Sequence, residues 1–497
     1  MRGFGAINFI LALTLSISPQ PTETQETPGE LLPVRQVILD NGMRLLILRR
    51  PGSPTISFAV RFNVGSVNEQ PGNTGIAHFL EHMLFKGTQS IGTKNLEAEL
   101  QLHRRMDTTH DSLIQARVQG DSTRALELSE EIRQLEDSAA VFTESNEFNR
   151  ILTRAGARGL NATTTNEATT YFVDLPKNRA ELWFALESDR MLNPIFREFY
   201  AERDVVAEER RMRVEVSAAG ALAETHLATA FRVHPYGIPV VGYMADLQVL
   251  SRKEVERYYQ LYYGPNNAVV GIVGDLDPNQ IEEWAQKYFG HIPKSELPPT
   301  ITAAEPIQKE ERRAELEWDA EPQLQIGWHV PAGTHPDAPS LAILTSLLTG
   351  GRTSRLYRRL VLDSRAATAV FSSLGPGMRY PQLLQISVTP RTPHTTKEIE
   401  ELIYEELELL IREGPTNSEM ERVRNQISAG SIRRIQSNIG LAFQLIESVA
   451  LFNDWRETFR YSEKLRAVTP GDIIRIAKTY MTQTNRTVTT LVKTESW

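Results

Sequence analysis

The sequence predicts an α+β protein made of two homologous α/β-sandwich-like halves, each a mixed sheet with helices packed on it. The first observation is a repeated order of elements. A helix at Ser251–Tyr263, a Gly-Pro-Asn-Asn turn and an apolar strand at Ala268–Gly274 follow one another. The end of the chain repeats this order, with a helix from Thr469 to Tyr480 and a strand at Thr487–Val492. Such internal similarity indicates two copies of one unit.

Length and a second repeat support the same architecture. The 497 residues exceed what one ordinary core accommodates. The strand–loop–helix order of residues 57–85 recurs at 323–349. We therefore expect halves at residues 33–292 and 310–497, joined by a Pro-rich linker at 293–309.

Composition excludes several classes of function. Hydrophobic residues make up 41% and charged residues 23%, as in globular proteins. A formal net charge of −8 argues against nucleic acid as a partner. The absence of cysteine excludes disulfides, iron–sulfur clusters, thiol catalysis and cysteine-ligated zinc. A metal site in this chain must be built from His, Asp and Glu.

The N-terminus predicts export. Arg2 and the apolar run 4–17 are typical of a signal peptide, here residues 1–18, and the run is too short to span a membrane. Residues 19–32, rich in Pro, Thr and Glu, are predicted to be a disordered linker. The expected location is the bacterial periplasm, with an uncleaved membrane anchor as the alternative. A mitochondrial presequence is disfavoured because Arg2 is the only basic residue before Arg35.

The first half is predicted to alternate strands and helices. Val34–Leu39 and Met43–Leu48 flank Asp-Asn-Gly, which is typical of a hairpin. Residues 56–64 alternate apolar and polar side chains, which predicts a strand with one buried face. Later elements are a β-rich segment at 159–165 and a helix at 180–192.

Residues 94–145 differ from their surroundings. They are rich in helix-forming residues, with a break at 119–122, so we expect a helical hairpin inserted in the first half. His103 and His110 lie in this insertion and are predicted to be solvated helix positions rather than ligands.

The stretch Gly75–Phe85 carries the chemistry. His78 and His82 are four residues apart, so on a helix they share one face, as in two-histidine metal sites. Glu81 reaches the same pocket and could accept a proton from a water molecule there. A pair of surface histidines is the alternative, but the neighbouring apolar residues predict a buried helix, where these side chains need partners. The order His-x-x-Glu-His defines the inverzincins.

A second candidate segment is a helix from about Glu202 to about Ala219, interrupted near Gly220. Glu202, Val205, Val206 and Glu209 share one face at spacings of three, four and seven residues. Spacing alone leaves two interpretations open, an inward face that carries carboxylates and a solvated charged helix.

Together these residues resemble the pitrilysin/insulinase family of zinc peptidases, in the branch of the mitochondrial processing peptidase and its bacterial counterparts. The resemblance rests on Gly75–Thr88, on Asn161-Ala162-Thr163-Thr164 with Thr169 and Tyr171, and on Glu202–Glu209. It implies one zinc ion per chain held by His78, His82 and Glu209. It also implies Glu81 as catalytic base and Glu202 as the carboxylate that orients its neighbours.

The same resemblance suggests how a substrate binds. Residues 159–164 resemble the family's edge strand, which takes a peptide as an added β-strand. Asn161, Ala162 and Thr163 would then contact the substrate, with Asn161 bonding to its backbone. The implied substrates are peptides or extended polypeptides.

One departure bears on partners. Family members that work alone carry an Arg and a Tyr, seven residues apart, in the second half. Here Val361 and Thr368 occupy those places, and Arg365 lies nearby. This resembles the zinc-bearing subunit of a heterodimer whose homologous partner supplies Arg and Tyr. The alternatives are a self-sufficient homodimeric peptidase and a non-catalytic structural or chaperone-like subunit.

Overall fold

The computed structural model describes residues 32–494, so the predicted signal peptide and nearly all of the predicted disordered linker lie outside the described residues. The strands are β1 (Val34–Ile38), β2 (Arg44–Arg49), β3 (Thr55–Phe62), β4 (Arg158–Thr164), β5 (Thr169–Pro176), β6 (Ala268–Gly274), β7 (Arg312–Trp318), β8 (Gln323–Val330), β9 (Ala367–Gly375), β10 (Gln382–Pro390) and β11 (Arg486–Lys493).

Sixteen helices are named here within this part of the chain. They are α1 (Ile76–Met83), α2 (Leu96–Gln119), α3 (Ser122–Ala140), α4 (Glu147–Arg154), α5 (Ala180–Leu192), α6 (Phe199–Arg210), α7 (Ala218–Ala230), α8 (Met244–Val249), α9 (Arg252–Tyr262), α10 (Pro278–Phe289), α11 (Ala338–Thr349), α12 (Thr396–Glu413), α13 (Asn417–Gln436), α14 (Asn438–Phe452), α15 (Glu457–Ala467) and α16 (Pro470–Tyr480).

The two halves share one sheet topology. The first sheet has the order β1-β2-β6-β3-β5-β4 and the second β7-β11-β8-β10-β9. Each contains one parallel pair, β2 with β6 and β7 with β11, and its other pairs are antiparallel. Apart from the additional β1, the sheets correspond strand for strand. The fold is therefore α+β with two homologous halves, as predicted.

The halves exchange a helix. α7, from the first half, packs on β7, β8 and β11 of the second sheet, and α14 packs on β3 and β6 of the first. Each helix packs closely against a glycine in the strand that it covers. A Cβ on Gly271 of β6 would lie 2.9 Å from Ile446 of α14, and one on Gly327 of β8 would lie 2.6 Å from His226 of α7. Each half thus completes the core of the other.

This exchange corrects the prediction for β3. The alternating pattern predicted one buried face, yet Ser57 and Ala59 on the other face are also buried. Ala59 belongs to an apolar cluster with Leu441, Leu445 and Ile446 of α14. Since α14 lies almost 400 positions further along the chain, local periodicity does not reveal this cover.

The insertion forms the predicted helical hairpin, α2 and α3, with the break at Gly120. The prediction for its histidines was wrong about their environment. His103 and His110 are only 4% and 1% exposed, because the hairpin packs against α6 and α9 rather than projecting into solvent. Neither lies in the three-residue cluster that could hold a metal.

The segment between the halves has no helix or strand from residue 293 to residue 311, within the part of the chain that the structure describes. Glu305 in this segment accepts hydrogen bonds from the backbone of Val233 and His234 and pairs with Arg312. Among residues 32–494 no single helix is long and apolar enough to cross a membrane. α13 and α14, which meet at a 110° bend, reach that length and composition only together.

Candidate metal centre

A buried carboxylate, that of Glu69, binds the N-terminus of α1. Glu69 is 5% exposed and accepts hydrogen bonds from the backbone N–H groups of Gly75 and Ala77, at 2.8 and 2.9 Å. These are orphan donors at a helix N-terminus. Burial raises the pKa of Glu69 to about 8. Gly75 has φ +85°, and a Cβ there would lie 2.6 Å from the Val241 carbonyl, so only glycine fits. Sequence reasoning missed Glu69, although an acid just before a helix is a recognised signal.

The core side of α1 fixes the direction of its histidines. Phe79, Leu80 and Met83 are fully buried in the main apolar cluster of the first half. His78 and His82 lie on another face, with ring centroids 4.9 Å apart. The packing of three apolar side chains therefore turns both imidazoles toward α6.

α6 supplies the third candidate ligand. His78 Nε2 lies 3.7 Å from Glu209 Oε1, and His82 Nε2 lies 3.6 Å from Glu209 Oε2. One ligand atom from each of the three residues lies within 4.8 Å of the others. Two imidazole nitrogens and one carboxylate are a donor set typical of catalytic zinc, which keeps a further position open. The three residues therefore fit a zinc ion. Spacing predicted only the two histidines, and Glu209 was implied by the family resemblance.

The far side of His82 contacts a second carboxylate. His82 Nδ1 lies 2.8 Å from Glu202 Oε1, and Lys86 Nζ lies 2.7 Å from Glu202 Oε2. Burial opposes ionisation of Glu202, but its hydrogen bonds to His82 and Lys86 lower its pKa to about 2. An ionised Glu202 fixes the tautomer that carries its proton on Nδ1 and leaves Nε2 free to bind a metal.

Glu81 lies in the same pocket but outside the three-residue cluster. Its carboxylate accepts a hydrogen bond from Thr164 Oγ1 at 2.5 Å. Burial raises the pKa of Glu81, and the Thr164 hydrogen bond opposes that shift. A carboxylate held beside the ligands in this way can accept and return a proton.

β4 forms the free edge of the first sheet, next to α1. It carries the three predicted substrate-binding residues, of which Asn161 and Thr163 are exposed and Ala162 is buried. The Asn161 side chain accepts a hydrogen bond from the Ala162 amide at 2.9 Å. An unpaired strand edge beside the candidate ligands offers backbone hydrogen bonds to an extended chain.

A cavity of about 570 Å³ opens at Glu81 and His82. Glu202 and Asn161 also line it, together with Asn146 at the N-cap position of α4 and Asn149 and Thr153 within that helix. Sequence reasoning missed α4, because its eight residues fall at the border of the insertion. The cavity runs from His82 toward that helix.

The helix predicted from Glu202 to Ala219 differs in its bounds. α6 runs from Phe199 to Arg210 and continues as a π-helical turn, Arg211–Glu215. The interruption lies at Val216 and Ser217, and Ser217 caps α7 by accepting from the Gly220 amide. The inward face of α6 is also narrower than the sequence predicted. Val206 is fully buried, but Val205, which was predicted on the same face, is 52% exposed.

Sequence reasoning also missed Arg213 in the π-helical turn. Its Nη2 lies 2.7 Å from Glu209 Oε1, although its side chain is 65% exposed. Its spacing of four residues from Glu209 was the available signal.

The second half holds the stretch matched to the family's Arg and Tyr. Val361 lies in a π-helical turn, Tyr357–Asp363, and Thr368 is exposed on β9, the free edge of the second sheet. Arg365 is exposed and has φ +54°. α11 is the counterpart of α1 and contains neither histidine nor glutamate.

The comparisons with known proteins identify the family of the chain. The model described as Insulinase (Peptidase family M16) matches residues 44–106 and 139–243, and Peptidase M16 inactive domain matches 250–427. Zinc protease PqqE of Helicobacter pylori is 28% identical, over 91% of each chain. A probable mitochondrial-processing peptidase subunit beta of Schizosaccharomyces pombe is 21% identical, over 88% of this chain and 87% of the relative.

The crystal structure of a protease from Helicobacter pylori has a TM-score of 0.78 and 26% identity, covering 92% of this chain and 99% of that one. Two homologous α+β halves, with His-x-x-Glu-His on the first helix, define the chain as an inverzincin. It belongs to the pitrilysin/insulinase family, peptidase family M16.

Proposed function

We propose that this protein is a zinc metalloendopeptidase that hydrolyses peptide bonds of peptides or extended polypeptides. One observation carries the proposal. His78, His82 and Glu209 converge on one point, while Glu81 faces the same pocket from outside that cluster. A purely structural zinc site needs no such additional carboxylate, since its ligands close the coordination shell.

Zinc bound by these three side chains would supply a Lewis acid that activates water and polarises a carbonyl. Glu81 accepts the proton of the attacking water and later donates it to the leaving amine. Thr164 holds the Glu81 carboxylate in place, and Glu202 holds His82. The substrate backbone pairs with the free edge of β4, beside Asn161, Ala162 and Thr163.

The test replaces Glu81 by Gln. Glu81→Gln is expected to keep one zinc per chain by metal analysis and to lose about 10²- to 10⁴-fold in peptide cleavage, the range for a general base. Glu208→Gln is the matched control, because Glu208 is exposed and pairs with Arg211 on the outer face of the helix. A Glu81→Gln protein with zinc and full turnover would refute the mechanism. A wild type that binds zinc but cleaves no peptide, alone or with a partner, would favour a non-catalytic subunit.

A heterodimer is the proposed assembly, since Val361 and Thr368 lack the chemistry of the family's Arg and Tyr. The homologous partner subunit would supply that pair. A self-sufficient peptidase is favoured by one observation, the exposed Arg213 beside Glu209. Full activity of the purified single chain, lost in Arg213→Ala but kept in Arg211→Ala, would establish this second assembly. Activity that appears only when a homologous partner is added would establish the first.

The N-terminal residues support export to the bacterial periplasm, or anchoring in its membrane if the predicted signal peptide is not cleaved. Mass spectrometry of the mature N-terminus, recovered from a periplasmic fraction, tests both outcomes.

A further inference from the structure

Most of the helical insertion lies outside what the family model matches. Residues 107–138 fall between its two matched segments and comprise most of α2 and α3. Leu113, Leu128, Ile132 and Leu135 are buried in the same apolar cluster as Phe199 and Tyr200 of α6. The inserted hairpin is therefore part of the core that supports α6.

One insertion residue caps α6. The Ala201 amide is in the first helical turn, where backbone donors have no partner in the helix. Glu136 Oε1 of α3 accepts its hydrogen bond at 2.9 Å. Glu198, at the N-cap position with φ +52°, directs its own carboxylate to Ser145 and Lys86 instead. The capping carboxylate of α6 is thus provided by the insertion.

Two further contacts hold the same turn from α2. Asp107 Oδ1 accepts from Tyr200 Oη at 3.1 Å and from Arg252 Nε of α9 at 3.1 Å. His110 Nε2 lies 3.0 Å from Arg203 Nη1, and the imidazole lies against Tyr200 with ring centroids 5.0 Å apart. Asp107 and His110 therefore contact residues on both sides of Ala201.

These contacts surround the residue that orients His82. Glu202 lies between Ala201 and Arg203 in the sequence, and Glu209 follows two helical turns later. Because a short helix moves as a rigid body, a tilt or rotation of its first turn would displace both carboxylates. Displacements of about 0.5 Å are enough to degrade a metal site.

We propose that the α2–α3 insertion is a brace for α6, in which Glu136, Asp107 and His110 are positioning residues that hold Glu202 and Glu209 in register with His78 and His82. This inference rests on the proposed metal centre.

The test uses Glu136→Ala and Asp107→Ala, with Glu130→Gln as control. Glu130 is exposed on the outer face of α3 and pairs with Arg133. Zinc affinity is measured by competition with a chromophoric chelator, and ligand geometry from the visible spectrum of the cobalt-substituted protein. Both alanine variants are expected to bind zinc about tenfold or more weakly, as when partners of metal ligands are lost, and to show an altered cobalt spectrum. Glu136→Gln, which keeps an acceptor oxygen, is expected to restore both properties.

Hydrogen exchange of α6 amides in metal-free protein provides a readout independent of zinc. Faster exchange confined to α6 in Glu136→Ala supports the brace, with far-UV circular dichroism showing that the chain remains folded. Wild-type zinc affinity, cobalt spectrum and α6 exchange in both alanine variants would overturn it. Failure of the wild type to bind zinc would instead refute the proposed function, and the exchange experiment would still decide whether the insertion braces α6.

Discussion

His82 Nδ1 lies 2.8 Å from Glu202 Oε1, while Nε2 of the same ring lies 3.6 Å from Glu209 Oε2. α6 therefore contacts both nitrogens of one imidazole, through carboxylates seven residues apart. One carboxylate holds the ring, and the other joins it as a candidate ligand.

Glu202→Gln is expected to weaken zinc binding by about 10- to 100-fold, because the amide keeps the shape but loses the charge that orients His82. Chelator competition measures the affinity. Asp204→Asn, an exposed position on the same helix, serves as control. Unchanged affinity in Glu202→Gln would show that Lys86 and the packing of α1 hold His82 without it.

Removal of the metal is expected to lower the thermal stability of the first half. A ligand that binds only the folded state at 100 times its dissociation constant stabilises it by about 2.7 kcal/mol. Calorimetry with and without a chelator measures the shift. In His82→Ala the chelator should have a much smaller effect, and an equal shift in that variant would place the stabilising ion elsewhere.

Acid is expected to destabilise the metal-free protein below about pH 6.5. Burial lowers the pKa of His103 to about 3, of His110 to about 4 and of His226 to about 3. The unfolded chain then binds more protons than the folded one as the pH falls from about 6.5 toward 4, so stability present at neutral pH is lost. The free energy of unfolding is expected to fall by up to about 1.4 kcal/mol per pH unit for each histidine.

Urea unfolding between pH 7 and 5 measures that slope. Arg203 near His110 and His329 near His226 lower the pKa of those two rings in the same direction. The Glu99 carboxylate lies 3.8 Å from His103 and acts in the opposite direction. His226→Gln is expected to reduce the slope, because glutamine can still bond to Thr489 but does not titrate. An unchanged slope in this variant would contradict the assignment to His226.

Gly271→Ala and Gly327→Ala are each expected to destabilise the protein by about 1–3 kcal/mol, the usual cost of overpacking. The new methyl groups would press on Ile446 of α14 and on His226 of α7, respectively. Denaturant unfolding measures the change. Gly430→Ala is the control, since a Cβ at this position inside α13 would meet only the end of the Arg434 side chain, at 3.9 Å. This substitution should be neutral or stabilising. Wild-type stability of both variants would show that the exchanged helices shift without cost.

Local patterns in the sequence determined the fold class, the position of one helix break and the helix that carries the histidines. The duplicated order of elements predicted two homologous halves, and Gly120-Asp121 predicted the break between α2 and α3. The spacing of His78, Glu81 and His82 predicted a metal-binding helix, because these signals operate within one or two turns. The pairing with Glu209 came from resemblance, since spacing alone left that helix ambiguous.

Tertiary packing decided the rest. Ser57 and Ala59 are buried because α14 arrives from the other half, and His103 and His110 are buried because the insertion folds back on α6. Glu136 caps a helix more than sixty residues away. The burial and the pKa of a residue depend on which distant elements pack over it. The local periodicity of the sequence does not contain that information. Residue types thus determined what chemistry the site could contain, and packing decided which side chains meet and what holds them there.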